Sequence, residues 1–226
     1  EDHEPAQVYL MDLRVGLVAP VNRKGQSLGV GRYAASLTEA LAALRSDPEY
    51  SLPKLEFVII ASPRNDRWIN PTASDQMTVV TETRPSDPRF DELGLDVVHV
   101  LVPRHVPTNR PTLFNPHDLR HVFYPELFKN ELVRRWKTNI PAGCRQATLV
   151  DTPSRATKDA IVEQYDIDPE WVQPLPLGPS ITSESIDHAL LAGVNDHYDV
   201  PDSFALFPAA TWPHKNHQRL IDSLAY

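Results

Sequence analysis

Three segments of the chain carry residues that could bind a phosphate or another polar ligand. In the first, residues 25–33 (GQSLGVGRY), Gly29 and Gly31 precede a segment with helical spacing. Glycines let the backbone approach a ligand closely, and the free amides at a helix start attract phosphate or carboxylate. The segment is therefore predicted to contact an anionic group. A loop that only turns the chain is the alternative, and the residues alone leave it open.

The same glycines also fit a dinucleotide-binding pattern. Gly29, Gly31 and Ala34 match G-x-G-x-x-A, which is typical of nicotinamide-dependent oxidoreductases. However, the glycines lie well beyond the end of the first apolar run near Pro20, and the second run leads into Ser62 without the ribose-binding acid. We therefore disfavour the oxidoreductase interpretation.

The second segment, residues 112–128 (TLFNPHDLRHVFYPELF), places His117 and Asp118 after an apolar run and before a predicted helix. Ligands of open α/β sheets bind beyond the carboxyl ends of the strands, so we predict that His117 contacts a ligand. Adjacent residues of an extended chain point to opposite sides, so Asp118 is not predicted to orient His117, and a Ser-His-Asp triad is not supported.

A third, cationic segment follows another apolar run near the end of the chain. In residues 208–220 (PAATWPHKNHQRL), Lys215 and the amides of a following helix could neutralise a diphosphate leaving group. A solvated turn is the competing interpretation. No metal site is predicted, because the four histidines between residues 99 and 121 lack an accompanying carboxylate and cysteine pattern. His99, inside an apolar run, is expected to be a hydrogen-bonded core histidine.

The elements that must position these residues alternate along the chain. Apolar runs at residues 14–20, 55–61, 96–102 and 147–152 are predicted to be strands buried on both faces, as in a parallel sheet. Segments with helical spacing begin at Gly31 and after Ser154, the expected N-cap. The sequence thus predicts a Rossmann-like, doubly wound α/β fold.

A further strand at residues 204–209 and a helix at residues 216–226 are expected to begin a second Rossmann-like domain. The predicted organisation is an acceptor-side domain at residues 1–195, a polar linker at 196–203 and the start of a second domain at 204–226. Because one strand and one helix cannot bury a core, we expect the sequence to be part of a longer protein.

Composition excludes several classes of protein. The net charge of -8, with no long basic run, argues against general nucleic-acid binding. The lone Cys144 forms no intrachain disulfide or structural zinc site and points to a reducing, cytoplasmic compartment. No run approaches the roughly 20 apolar residues of a membrane span. The basic segment at residues 125–137 allows at most peripheral contact with an anionic membrane, and a solvated helix face is the favoured interpretation.

In order and spacing, four motifs resemble the GT-B fold family of retaining glycosyltransferases, which includes mannosyl- and glucosyltransferases of cell-surface polysaccharide synthesis. They are GVGRY, the run PTNRPTLFNPHDLRHVFYPELF, TPSRATKDAI and PAATWPHKNH. The resemblance extends from Arg14 onward. It implies two Rossmann-like domains that face each other across a cleft, with the acceptor on the first domain and the nucleotide sugar mostly on the second.

The resemblance also implies roles for particular residues. Gly29 and Gly31 would lie near the donor phosphates, His117 would contact the donor sugar, and Lys215 would hold the diphosphate. Arg32 and Asp118 are possible substrate contacts, although Arg32 could equally face solvent. The sequence departs from the commoner pattern at Ala210, where relatives carry arginine, and at His214, which replaces a basic residue.

The implied reaction is transfer of a hexose, with mannose favoured, from a nucleotide diphosphate sugar to a saccharide or lipid-linked acceptor. It needs no cofactor, and the anomeric configuration is retained. The acidic motif by which the family binds the donor would follow residue 226, so this stretch alone is expected to be inactive and to bind nucleotide sugar weakly or not at all. The alternative is a non-catalytic carbohydrate-binding or assembly module with the same fold.

Overall fold

The computed structural model describes residues 13–19, 29–46, 55–61, 78–81, 92–178, 193–194, 197–198, 201 and 203–224. The strands are β1 (Leu13–Val18), β2 (Leu55–Ala61), β3 (Thr78–Thr81), β4 (Val97–Val100), β5 (Thr112–Phe114), β6 (Leu149–Thr152) and β7 (Val172–Pro174). The helices are α1 (Gly29–Ser46), α2 (Arg120–Phe123), α3 (Asn130–Gln146), α4 (Arg155–Tyr165) and α5 (His217–Ser223). Three 3₁₀ turns span Pro125–Leu127, Pro169–Trp171 and Pro213–Lys215.

The seven strands form one parallel sheet in the order β3-β2-β1-β4-β5-β6-β7. The chain winds outward from β1 in one direction and, after β3, restarts at β4 on the other side of β1. This order reversal is the hallmark of the doubly wound Rossmann-like fold. The predicted fold class is therefore confirmed, and the carboxyl ends of β1 and β4 flank the point where the strand order reverses.

Alternate residues of β1 and β2 contribute to two separate hydrophobic cores. In β2, Val58 and Ile60 belong to one core, which also contains Ile140 of α3 and Ile161 of α4. Their neighbours Phe57 and Ile59 belong to the other, which packs against α1 through Ala34 and Ala42. Because successive side chains of a strand point to opposite faces, the sheet is covered by helices on both sides. This explains why its strands read as continuous apolar runs.

Helix α3 approaches the sheet most closely at Gly143. A Cβ atom at this position would lie 2.6 Å from the ring of Phe114, which is buried in β5. The absence of a side chain therefore allows the helix backbone to rest on the aromatic ring. The helix also continues through Pro141, a residue that usually ends helices because it lacks an amide hydrogen.

The predicted N-cap of the helix after β6 is confirmed. The side chain of Ser154 accepts a hydrogen bond from the Thr157 amide at 3.2 Å, which satisfies one of the free donors at the start of α4. The helix ends at Asp166 in a left-handed conformation, with φ of 53°. The TPSRATKDAI motif is thus a strand end, a capped turn and a helix.

The predicted strand at residues 204–209 is wrong. These residues adopt no regular secondary structure, and Phe204 and Leu206 are 61% and 74% exposed. A strand needs a hydrogen-bonded neighbour, and none of the described strands lies beside this segment. The helix that follows is present as α5, with the Asn216 side chain capping it. The proposed domain boundaries at residues 195 and 203 stay a prediction.

Several other predicted helix and strand bounds differ from those of the structure, and two strands were not predicted. Helix α1 begins at Gly29, two residues before the predicted start, and residues 25–28 lie outside the described part of the chain. The predicted helix over residues 125–137 is divided into the Pro125–Leu127 turn and α3. Phe128, between them, has an extended backbone, and its ring packs edge-on against the ring of Trp136, with centroids 5.5 Å apart. Strands β3 and β7 were not predicted.

The basic segment around α3 turns its tryptophan towards the protein. Trp136 packs against the core and contacts the ring of Phe128, whereas Arg134, Arg135 and Lys137 are exposed. This arrangement favours a solvated helix face, since the aromatic side chain is not presented with the cations. Among the residues that the structure describes, no helix combines the length and apolarity needed to cross a bilayer.

Candidate functional site

The candidate site lies at the carboxyl edge of the sheet, where the strand order reverses. Helix α1 begins there, after β1, and Gly29 and Gly31 occupy its first turn. Neither glycine has a positive φ, and a Cβ atom at Gly29 would meet no neighbour within 4 Å. Gly29 and Gly31 therefore add no side chain to the first turn, where the amides of a helix favour anionic ligands. The exposed Arg32 follows them in the same turn.

His117 stands in the loop after β5 and is held on three sides. Its backbone amide donates to Asn115 Oδ1 at 2.8 Å, and its Nε2 contacts the carbonyl oxygen of Leu101 at 3.0 Å. Its ring makes an edge contact with the ring of Tyr33 in α1, with centroids 5.3 Å apart. The GVGRY helix and the FNPHDL loop, which lie far apart in sequence, therefore meet at this edge of the sheet.

The surroundings of His117 fix its chemical form. Burial lowers the pKa of His117 below its ordinary value, and the hydrogen bond to Leu101 opposes this effect only in part. Because a carbonyl oxygen can only accept, Nε2 carries the hydrogen and donates it. The ring is thus neutral at pH 7, and its Nδ1 atom is the hydrogen-bond acceptor.

Behind His117 lies a buried polar cluster formed by Tyr33, His99, Asn115 and Asp151. The side-chain nitrogen of Asn115 donates to Asp151 Oδ2 at 2.8 Å and to the Tyr33 hydroxyl at 3.3 Å. Nε2 of His99 lies 3.2 Å from the other carboxylate oxygen of Asp151. Burial, and then the charge of Asp151, raise the pKa of Tyr33 to about 12, so its phenol stays protonated.

Sequence reasoning missed three members of this cluster and assigned the fourth correctly. His99 is a hydrogen-bonded histidine of the strand interior, as predicted. Asn115, Asp151 and Tyr33 were not singled out, although Asn115 directly follows a strand and Asp151 interrupts the apolar run of β6. A carboxylate within a buried strand is the signal that could have found the cluster, because such a group requires partners.

Asp118, as predicted, does not orient His117. Its carboxylate forms an ion pair with Arg120 at 3.0 Å and accepts the Arg120 amide at 3.1 Å, which starts helix α2. The guanidinium of Arg120 lies over the rings of Phe128 and Trp136, at 5.5 and 5.9 Å from their centroids. Asp118 and Arg120 are both half-exposed and form a charged rim beside the His117 loop.

The turn that carries Lys215 lies beside this rim. The ring of His214 lies 5.5 Å from that of Phe128 and 5.5 Å from that of Trp212. Its pKa is lowered by burial and by the nearby charges of Arg120 and Lys215. Lys215 itself is exposed, and Asn216 follows it with φ of 54°. The predicted basic turn is therefore next to the Asp118–Arg120 pair.

The histidines between residues 99 and 121 each have a hydrogen-bond partner of their own. Among the described residues, no three His, Cys, Asp or Glu side chains come together as potential metal ligands. His105, also considered a ligand candidate, bonds Gln146 at the end of α3, and His121 bonds the Tyr165 hydroxyl at 3.1 Å inside the core. The four histidines between residues 99 and 121 thus have separate partners.

No known protein family has a model that matches the chain, and no curated protein is similar in sequence. Among solved structures, the chain is similar to a glycosyltransferase from Rickettsia africae ESF-5, with 15% identity and a TM-score of 0.47. The similarity covers 85% of this chain and 51% of the other. The chain therefore spans about half the length of that glycosyltransferase.

Proposed function

We propose that this chain is the acceptor-side part of a glycosyltransferase that uses a nucleotide diphosphate sugar. One observation carries the proposal: the contact between Tyr33 and His117 brings the GVGRY helix and the FNPHDL loop together where the strand order reverses. This is where open α/β sheets bind their ligands. The resemblance of the four motifs to retaining glycosyltransferases supplies the reaction class.

The proposed reaction moves a hexose, with mannose favoured, to a hydroxyl group of a saccharide or lipid-linked acceptor and retains the anomeric configuration. Rate acceleration comes from positioning both substrates and from stabilising the departing diphosphate. The amides of α1 at Gly29 and Gly31 and the ammonium of Lys215 are the proposed diphosphate contacts. The donor is a substrate, and the proposal includes no cofactor or metal.

His117 is proposed to contact the sugar. A neutral imidazole with Nε2–H bound to Leu101 offers Nδ1 as an acceptor. Such an atom suits a sugar hydroxyl, which can donate, and does not suit a phosphate oxygen, which cannot. Arg32 and Asp118 remain proposed secondary contacts, because both are accessible beside the two motifs.

The experiment is a donor screen on the full-length protein that follows release of the nucleotide diphosphate and the anomeric configuration of the product. His117→Ala is expected to lower kcat/KM at least about tenfold, equivalent to about 1.4 kcal/mol. His105→Ala is the matched control, because His105 bonds Gln146 at the end of α3, near the opposite edge of the sheet.

Equal kinetics of His117→Ala and the wild type would remove His117 from the site. Failure of every nucleotide sugar to turn over, combined with retained saccharide binding, would instead support the non-catalytic carbohydrate-binding module.

A further inference from the structure

His117 adopts a backbone conformation that a residue with a side chain rarely occupies. Its φ is 65°, in the left-handed region. A histidine remains in this region only where the surrounding structure holds it there, and such residues concentrate at functional sites. What holds His117 is therefore part of how the site works.

The direct restraint is Asn115, which is 1% exposed. Its Oδ1 accepts the His117 amide two residues further on, at 2.8 Å, a turn that asparagine side chains commonly form. This restraint requires the amide group of Asn115 to face one way only. If the group were rotated by half a turn, its NH₂ would meet the N–H of His117, and neither could accept.

Asp151 determines which way the amide faces. Its Oδ2 lies 2.8 Å from Nδ2 of Asn115, and an ionised carboxylate can only accept hydrogen bonds. The nitrogen of Asn115 must therefore point towards Asp151, which leaves the oxygen for His117. The other carboxylate oxygen of Asp151 contacts His99 Nε2 at 3.2 Å, so Asp151 is itself fixed in place.

Asp151 is 1% exposed, and burial of a carboxylate is unfavourable unless its partners compensate. We infer that Asp151, supported by His99, is a positioning residue that acts through Asn115 to hold His117 in its left-handed conformation. This inference rests on the proposed role of His117 as the sugar contact. It adds a buried residue on which the geometry of that contact depends.

Two variants at position 151 separate hydrogen-bond acceptance from charge. Asp151→Asn removes the charge but keeps an oxygen for Asn115, while its own NH₂ can donate to His99 in the other tautomer. Asp151→Leu keeps the branching at Cγ, with two larger methyl groups in place of the oxygens, and removes both acceptors. Tyr165→Phe is the control, because it deletes another buried hydrogen bond, to His121, with no connection to His117.

The readout is the hydrogen-exchange protection of the His117 amide and of its ring Nε2–H, measured by NMR on protein labelled with ¹⁵N-histidine. We expect Asp151→Asn and Tyr165→Phe to keep the wild-type protection, and Asp151→Leu to lose about tenfold or more. Wild-type protection in Asp151→Leu, or equal losses in the Asn and Leu variants, would overturn the inference.

If Asp151→Leu does not fold, Asp151→Ala provides the same test, because it removes both acceptors without adding volume and leaves Asn115 in place. His117 protection in Asp151→Ala equal to that of the wild type would overturn the inference, and its loss would support it.

Kinetics then distinguish this inference from the proposed function. We expect Asp151→Leu to lower kcat/KM as much as His117→Ala does, and the double variant to show no further loss, because both changes remove one contact. If His117 loses its protection in Asp151→Leu while turnover is unchanged, the positioning inference stands and the role of His117 in the reaction fails.

Discussion

At the scale of single residues, the candidate site depends on hydrogen bonds whose direction is fixed. Leu101 O receives a hydrogen from His117, and Asp151 receives one from Asn115. Each acceptor determines which atom of its partner remains available for a further contact. The outcome is a neutral imidazole whose Nδ1 is the atom left for a ligand.

Tyr33→Phe is expected to lower the free energy of unfolding by about 0.5–1.5 kcal/mol, since the Asn115 amide loses the phenol oxygen that accepts one of its hydrogens. The edge contact between the ring and His117 should persist. Urea denaturation measures the change. Tyr198→Phe is the matched control, because Tyr198 is 71% exposed, and its stability should equal that of the wild type. Equal stability of Tyr33→Phe and Tyr198→Phe would contradict the prediction.

At the scale of helices and strands, the contact of α3 with β5 sets how closely the second layer approaches the sheet. Gly143 rests against the ring of Phe114, and Phe114 belongs to the strand that leads into Asn115 and His117. The packing of α3 on β5 and the position of the His117 loop are therefore connected through the short stretch of chain from Phe114 to His117.

Gly143→Ala is expected to destabilise the fold by about 1–2 kcal/mol. The added methyl group would overlap a buried ring that cannot move freely, and the gain in helix propensity offsets only part of this effect. Thermal or urea denaturation provides the measurement. Gly29→Ala should leave stability nearly unchanged, because no atom lies within 4 Å of the added methyl group. A stabilised Gly143→Ala protein would show that Phe114 can give way.

Much of the fold could be predicted from the sequence. Whether a given strand was predictable depended on its length and on its neighbours in the sheet. The runs that became β1 and β2 are long and apolar because both of their faces are covered, so periodicity identifies them. Strands β3 and β7 contain four and three residues, too few for any period to appear. Residues 204–209 have the composition of a strand but no neighbouring strand, which local sequence cannot reveal.

The site was predictable only in part, for a related reason. His117 could be anticipated from its place after a strand. Its partners could not, because Asp151 and His99 meet across β4, β5 and β6, and such pairings are formed by the register of the sheet. The left-handed conformation of His117 likewise depends on a side chain held from another strand.

At the scale of the whole molecule, two buried histidines couple stability to pH. Burial lowers the pKa of both His117 and His121, so the unfolded chain, in which histidine titrates near about 6.5, binds more protons over this range. The contribution of these two histidines to the free energy of unfolding should therefore be constant above about pH 6.5. This contribution should fall as the pH drops below about 6.5, until the pH lies below the pKa values that both histidines have in the folded protein.

Urea denaturation between about pH 7.5 and about pH 5.5 measures this dependence. A double variant, His117→Gln with His121→Gln, is expected to lose less stability across the interval than the wild type does. Parallel curves for the two proteins would assign the dependence to other groups.

Cys144 offers a separate measure of global opening. It lies on the buried face of α3, and burial raises its pKa to about 12, which suppresses the reactive thiolate. A thiol reagent should therefore modify native protein very slowly and urea-unfolded protein within minutes. Rapid modification without denaturant would show that α3 detaches from the sheet without global unfolding.

The satisfied hydrogen bonds around Asn115 also have an evolutionary consequence. Every polar atom of that side chain has a partner, on a different strand, helix or loop, so a change that removes a donor or acceptor at one of these positions leaves an unmatched group at another. Proteins that descend from the same ancestor should therefore alter Tyr33, His99, Asn115 and Asp151 as a group, or keep all four. Correlated variation at these positions would distinguish homologues that keep this hydrogen-bonded cluster from homologues in which other residues replace it.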